Sequence, residues 1–148
     1  MAGRILGVDF GERRIGLALG EPASGVVVGL PVLETADALG EAGAIAEIAG
    51  AREVAEIVVG LPLNMDDTEG PRAVRTREFA DALRERTKIP VRLFDERLTS
   101  HEAEVRLRGS GLGRKAKRRH VNTVAAQIIV EAYLEAKRRG AGGGEGSG

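Results

Sequence analysis

Apolar residues recur along this chain with two periods, and the alternation between them predicts the order of elements. Residues 4–10 (RILGVDF) are dense in branched side chains and stop at Gly11, which predicts a buried strand. Residues 14–19 (RIGLAL) and 25–33 (GVVVGLPVL) predict two more strands, and the short Glu12-Arg13 connection predicts that the first two pair as an antiparallel hairpin. Between 37 and 53 the spacing changes: Leu39, Ala42, Ala46 and Ala49 fall on one helical face, with Asp37 placed to cap it. Residues 57–61 (IVVGL) return to strand. Pro71 opens a helix expected to reach about Arg86, with Val74, Phe79, Ala80 and Leu83 inward, and residues 90–94 (PVRLF) form a fifth strand. A short helix near 103–107, a flexible Gly/Lys/Arg-rich loop over 109–119 and a long helix over 122–137 complete the pattern. The last nine residues, GAGGGEGSG, read as a flexible tail without function.

The expected order is three strands, helix, strand, helix, strand, helix, helix. That is an α/β protein with a five-stranded mixed sheet, an antiparallel meander of three strands feeding parallel strands through helical crossovers. The same order is found in the ribonuclease-H-like fold. No internal repeat is present.

Composition narrows the chemistry. A chain of 148 residues with 43% hydrophobic residues suits one domain, expected over 1–139, with 140–148 as the tail. There is no cysteine, so thiolate zinc sites and disulfides are excluded and any metal must be held by oxygen or histidine. No apolar run approaches the roughly 20 residues of a membrane helix, and the first residues lack the pattern of a secretory signal; a cytoplasmic protein is expected. The net charge of zero hides an asymmetry, since residues 101–148 hold ten Lys/Arg against five Asp/Glu. Either these are solvated helix faces or the basic half meets a polyanion.

Two strands end in acids. Asp9 stands where the first strand emerges into a turn, and it either accepts hydrogen bonds from the 11–14 turn or ligates a metal. Asp95-Glu96 follows the fifth strand in the same way, and alternation sends the two side chains to opposite faces. They either pair with Arg92 or Arg97 at the surface or, with Asp9, offer oxygen ligands to hard cations such as Mg2+ or Mn2+. Two such ions about 4 Å apart would activate water and stabilise the leaving oxygen of a phosphodiester.

The remaining candidates are neutral or basic. Residues 60–70 (GLPLNMDDTEG) form either an ordinary polar connection or a loop whose N–H groups approach phosphate. Arg13 and Arg14 are placed to clamp a phosphate or pair with Glu12, and Arg97, Thr99 and Ser100 are similar supporting candidates. Arg114, Lys115, Lys117, Arg118 and Arg119, preceded by Arg106 and Arg108 and followed by His120, are the strongest binding signal. With one Tyr, three Phe and no Trp, base stacking has little to work with, and contacts to phosphates position a substrate by shape.

Four segments in order, VDFGERRIGLAL (8–19), VVGLPLNMDDTEG (58–70), FDERLTSHEA (94–103) and VNTVAAQIIVEAYL (121–134), resemble the YqgF family, also called RuvX. These are bacterial ribonuclease-H-like proteins described as pre-16S rRNA nucleases and Holliday junction resolvases. The resemblance implies that Asp9 and Glu96 are catalytic metal ligands, with Asp95 beside them. It also implies a third acid, an aspartate, where this chain has Asn122. An asparagine can coordinate through its carbonyl oxygen but brings neither charge nor base, so it would hold ions more weakly; it also suits a helix cap. The expected activity is Mg2+- or Mn2+-dependent hydrolysis of structured nucleic acid, leaving a 3′-hydroxyl and a 5′-phosphate. Pre-16S rRNA ranks first as substrate and the four-way DNA junction second, the latter requiring a homodimer with two sites. A non-cleaving nucleic-acid-binding protein is the rival reading. VDFGERRIGLAL also resembles the phosphate loop of actin-like ATPases, which need two such domains and more than 148 residues.

Overall fold

The computed structural model describes residues 3–96 and 99–140, with the Thr99 and Ser100 side chains left aside. Arg97 and all but Gly140 of the expected tail lie outside the described residues. The strands are β1 (Arg4–Asp9), β2 (Arg14–Gly20), β3 (Val27–Glu34), β4 (Val54–Leu61) and β5 (Val91–Asp95). The helices are α1 (Ala42–Ala51), α2 (Pro71–Arg84), α3 (Thr99–Arg108) and α4 (Arg114–Arg138), with one 3-10 turn at Ala38–Glu41.

The sheet order is β3-β2-β1-β4-β5. β1 pairs antiparallel with β2 and parallel with β4, and β4 pairs parallel with β5, so the mixed sheet predicted from the pattern is present. Its central strand is buried on both sides. Leu6, Val8, Ile57 and Val59 pack with Ala42, Ile45, Phe79 and Leu83 of α1 and α2, whereas Ile5, Ala18 and Val58 pack with Ile129, Val130, Tyr133 and Leu134 of α4. Each Val, Leu, Ile or Phe side chain fully withdrawn from water in this way contributes about 1.5–3 kcal/mol. α3 docks on α4 through Ala103, Ala125 and Ile128.

Four expectations need correction. The segment 109–119 is not a flexible loop: α4 begins at Arg114, capped by Gly113, so the basic run forms its first two turns and only 109–113 connect the helices. Lys and Arg are good helix formers, and a helix start made of them carries no apolar periodicity to distinguish it from coil. Asn122 therefore sits inside the helix and caps nothing. α3 is longer than the apolar signal suggested, because its first turns are polar. Val74 on α2 is 48% exposed, the inward positions being Ala73 and Thr76 beside Phe79, Ala80 and Leu83. Asp37 does cap, its carboxylate accepting from Gly40 N at 3.4 Å, but the helix it opens starts as a 3-10 turn.

Candidate active site

Alternation along β1 turns Ile5, Gly7 and Asp9 toward α4 and Leu6 and Val8 toward the other face. Asp9 ends the strand with only 3% of its surface exposed. Its Oδ2 accepts a hydrogen bond from Nδ2 of Asn122, at 2.7 Å. Two residues far apart in sequence thus meet directly, and the Asp9 side chain takes its hydrogen bond from α4 rather than from the 11–14 turn, one of its two open roles. Burial pushes the Asp9 pKa from 3.8 up to about 6, while the Asn122 hydrogen bond and the charge of Arg72 pull it back less.

The contact depends on how closely α4 lies on the sheet. Gly16, the register partner of Asp9 on β2, has the Asn122 carbonyl and Thr123 amide where a side chain would stand. Any larger residue there would push the helix, and Asn122 with it, away from Asp9.

A second glycine matters on the other side of β1. Glu96 follows β5 directly, is 6% exposed, and donates its N–H to the Leu61 carbonyl at 3.1 Å. A Cβ on Gly60 would stand 2.7 Å from Glu96 Cγ and 3.1 Å from Cδ. The bare backbone of Gly60 lets the Glu96 side chain lie over β4, the strand between β5 and β1. Asp95 is exposed and, as alternation requires, leaves the face that Phe94 and Glu96 share with α4. Among the described residues, no group of three or more His, Asp or Glu side chains is arranged to hold a metal.

The cations divide into paired and unpaired. Arg106 is held by Glu131 at 2.8 Å and Glu102 at 3.3 Å, which makes it a strut between α3 and α4. Arg14 and Arg119 both approach Glu34, at 3.7 and 3.8 Å. Glu12 pairs not with Arg13 or Arg14 but with Arg75 of α2, at 3.1 Å. Arg92 goes to Glu56 at 3.6 Å. Arg13, Arg108, Arg114, Lys115, Lys117 and Arg118 have no acidic partner among the described residues, and His120 is exposed. Three N–H groups of the 60–70 loop bond within it: Asn64 N reaches Thr68 O, Asp67 N reaches Asn64 O, and Thr68 N reaches Asp66 Oδ1. These three bonds, with the Leu63–Glu69 bridge, close the loop on itself as a turn.

Sequence reasoning missed Arg72 and the two glycines. Arg72 stands in the first turn of α2 and acts on Asp9 through its charge. Its signal was the Pro71 helix start, whose approach to β1 only the fold reveals. The glycines showed their signal in alternation, since Gly7, Gly16, Gly20 and Gly60 all fall on the α4 side of their strands.

A family described as "RuvX: Holliday junction resolvase" matches residues 3–136. The chain belongs to the RuvX family. Curated relatives agree: a protein of Syntrophomonas wolfei named "Putative pre-16S rRNA nuclease" is 42% identical over 132 residues, covering 89% of this chain and 94% of its own. One of the same name from Anaeromyxobacter dehalogenans strain 2CP-C is 46% identical over 141 residues, covering 89% of this chain and 96% of its own. Among solved structures, Thermus thermophilus RuvC in complex with a Holliday junction substrate superposes with a TM-score of 0.62 at 14% identity, covering 93% of this chain and 96% of that one. This likeness shows the ribonuclease-H-like fold. Among the described residues no helix is long and apolar enough to cross a membrane.

Proposed function

We propose that this RuvX protein is a divalent-metal-dependent endonuclease acting on structured nucleic acid, with the 5′ region of pre-16S rRNA as its first substrate and the cytoplasm as its place of work. The observation that carries this reading is the buried Asp9 carboxylate, bonded to Asn122 and flanked across Gly60 by buried Glu96, near a basic helix start in which Arg114, Lys115, Lys117 and Arg118 have no acid partner among the described residues.

The residues fit a hard cation. Asp9 and Glu96 offer oxygen donors of the kind Mg2+ and Mn2+ prefer, and the raised pKa of Asp9 marks a carboxylate short of compensating positive charge. Such an ion, when bound, lowers the pKa of water and stabilises charge on the phosphate. Asn122 donates an N–H to one Asp9 oxygen and so orients the carboxylate, leaving its own carbonyl oxygen as a neutral third donor. Arg13, Arg114, Lys115, Lys117 and Arg118 hold phosphates on either side of the scissile bond. Water adds to phosphorus and the bond to the 3′ oxygen breaks, giving a 3′-hydroxyl and a 5′-phosphate.

The relatives' names favour precursor rRNA. The family description and the RuvC complex keep the four-way junction as the second reading, which needs a homodimer presenting two sites. Incubating a labelled pre-16S fragment and a synthetic four-way junction side by side with Mn2+ tests both. Faster metal-dependent cleavage of the RNA, absent in Asp9→Asn, is the expected result. Cleavage by Asp9→Asn at the normal rate refutes the site, and binding without cleavage of either substrate makes the chain a binding protein instead.

A further inference from the structure

α3 and α4 enclose a cleft of about 290 Å³ whose basic rim belongs to the phosphate contacts above and whose apolar interior those contacts leave without a role. Its apolar lining comes from Leu107 of α3 and Val121 of α4; its rim holds Arg114, Lys117 and Arg118 on one side and Glu104 on the other. These α4 residues recur at three- and four-residue steps and therefore share a face. We infer that this cleft receives one unpaired nucleotide of the substrate strand, next to the phosphate presented to Asp9. The inference rests on the nucleic-acid reading of the site but not on cleavage.

Size, charge and position agree on that occupant. The volume is at the lower end of the roughly 300–1,000 Å³ of small-ligand pockets, room for one nucleoside rather than a stacked run. The three cations, none paired with an acid among the described residues, suit the flanking phosphates, and the aliphatic walls suit a base face. Glu104 is an acceptor, which repels phosphate but receives an N–H from a base edge. Every nucleobase carries such an N–H on its pairing edge, and in a duplex that edge is taken, so the cleft selects an unpaired nucleotide. Arg118 precedes Asn122 by one helical turn, about 6 Å along the axis, so the cleft opens beside the strand that reaches Asp9.

The test is binding without divalent metal, so that cleavage plays no part. Fluorescein-labelled dT12 and a 12-unit abasic strand of equal charge are titrated by anisotropy against the wild type, Val121→Phe, which fills the cleft, and Glu104→Gln, which keeps its shape. The wild type binds dT12 roughly tenfold more tightly than the abasic strand, the effect of covering about 50 Å² of base face with Leu107 and Val121. Val121→Phe removes that preference while keeping affinity for the abasic strand, and Glu104→Gln reduces it about two- to threefold. Equal binding of both strands by the wild type, or a preference unchanged in both variants, overturns the proposal. If Val121→Phe alters folding, as circular dichroism would show, the Glu104→Gln result decides. A base preference with no cleavage in the Mn2+ assay upholds the cleft and refutes the nuclease.

Discussion

The two ends of α4 are both basic, yet they treat their charges in opposite ways. At the C-terminal end Lys137 reaches Glu56 at 3.0 Å, and Arg138 and Arg139 reach Glu135 at 3.3 and 3.1 Å. There the cations also complement the helix dipole. At the N-terminal end Arg114, Lys115, Lys117 and Arg118 have no acid partner among the described residues, and those in the first turn sit where the dipole repels them, a penalty of about 0.3–1 kcal/mol each. Close by, Asp9 is a buried carboxylate whose ionisation is opposed by burial. One end of the helix is arranged for stability, and the other keeps uncompensated charges of both signs apart, as a site awaiting a cation and a polyanion would.

Asp9→Asn should break that contrast most strongly. Losing the anchoring carboxylate should lower cleavage by about a thousandfold or more, since several kcal/mol of metal-derived stabilisation go with it. The fold should gain. The native pKa of about 6 lies above 3.8, so the native state holds the proton more tightly; the contribution of Asp9 to stability is then full below about pH 4 and is lost as pH rises through 4 to 6. The loss is on the order of 3 kcal/mol at pH 7. Urea denaturation between pH 4 and 8 should show that decline in the wild type and a flatter profile in the variant. Added Mn2+ should stabilise only the wild type. A variant with the same pH profile as the wild type would mean Asp9 is not the strained group.

Replacing Arg114, Lys115, Lys117 and Arg118 together by Gln comes next. Affinity for nucleic acid should fall about a hundredfold or more at moderate salt, and the slope of log K against log salt should flatten by about 3 to 4. Thermal stability should hold or rise. Removing Lys137 from the other end should leave the salt slope unchanged.

The sequence revealed the sheet more readily than the site. β1 and β4 read as buried strands because both faces need apolar residues, and Asp9 stood out as the polar residue ending such a run. What stayed hidden depends on distance in space. Asn122 meets Asp9 across 113 residues, and the contact exists because Gly16 admits the α4 backbone. The basic run carries no apolar stripe, so its pattern does not separate the first turns of α4 from coil. In sequence Arg106 is indistinguishable from the phosphate-contact candidates, and only the packing of α3 on α4 places it between Glu102 and Glu131.

Asn122→Asp would sharpen the comparison at the site itself. A second carboxylate facing Asp9 lacks the amide donor and adds like charge, so the metal-free protein should lose about 1–2 kcal/mol at pH 7. A divalent ion should offset this, giving tighter Mn2+ binding by about tenfold and faster cleavage. Calorimetric titration of Mn2+ measures the first, and an affinity unchanged from wild type would remove residue 122 from the metal site.

The smallest effect belongs to the stable end. Tyr133 donates its hydroxyl to Glu56 at 2.6 Å, packs edge-on against Phe94, and lies beneath Lys137. Burial works to raise the Glu56 pKa, but the hydrogen bonds from Tyr133 and Lys137 outweigh it and hold the carboxyl below its ordinary value. A lowered carboxyl pKa adds stability that is present at neutral pH and lost as pH falls through the acid range. Tyr133→Phe keeps the ring and deletes the donor, so stability should drop by about 1 kcal/mol at pH 7 and by less in acid, where Glu56 is protonated. Cleavage and the salt slope should stay at wild-type values, because the ring still packs and α4 still lies on Gly16. If cleavage fell in proportion to the stability loss, the two ends of α4 would be coupled, and the division between a stabilising end and a functional end would fail.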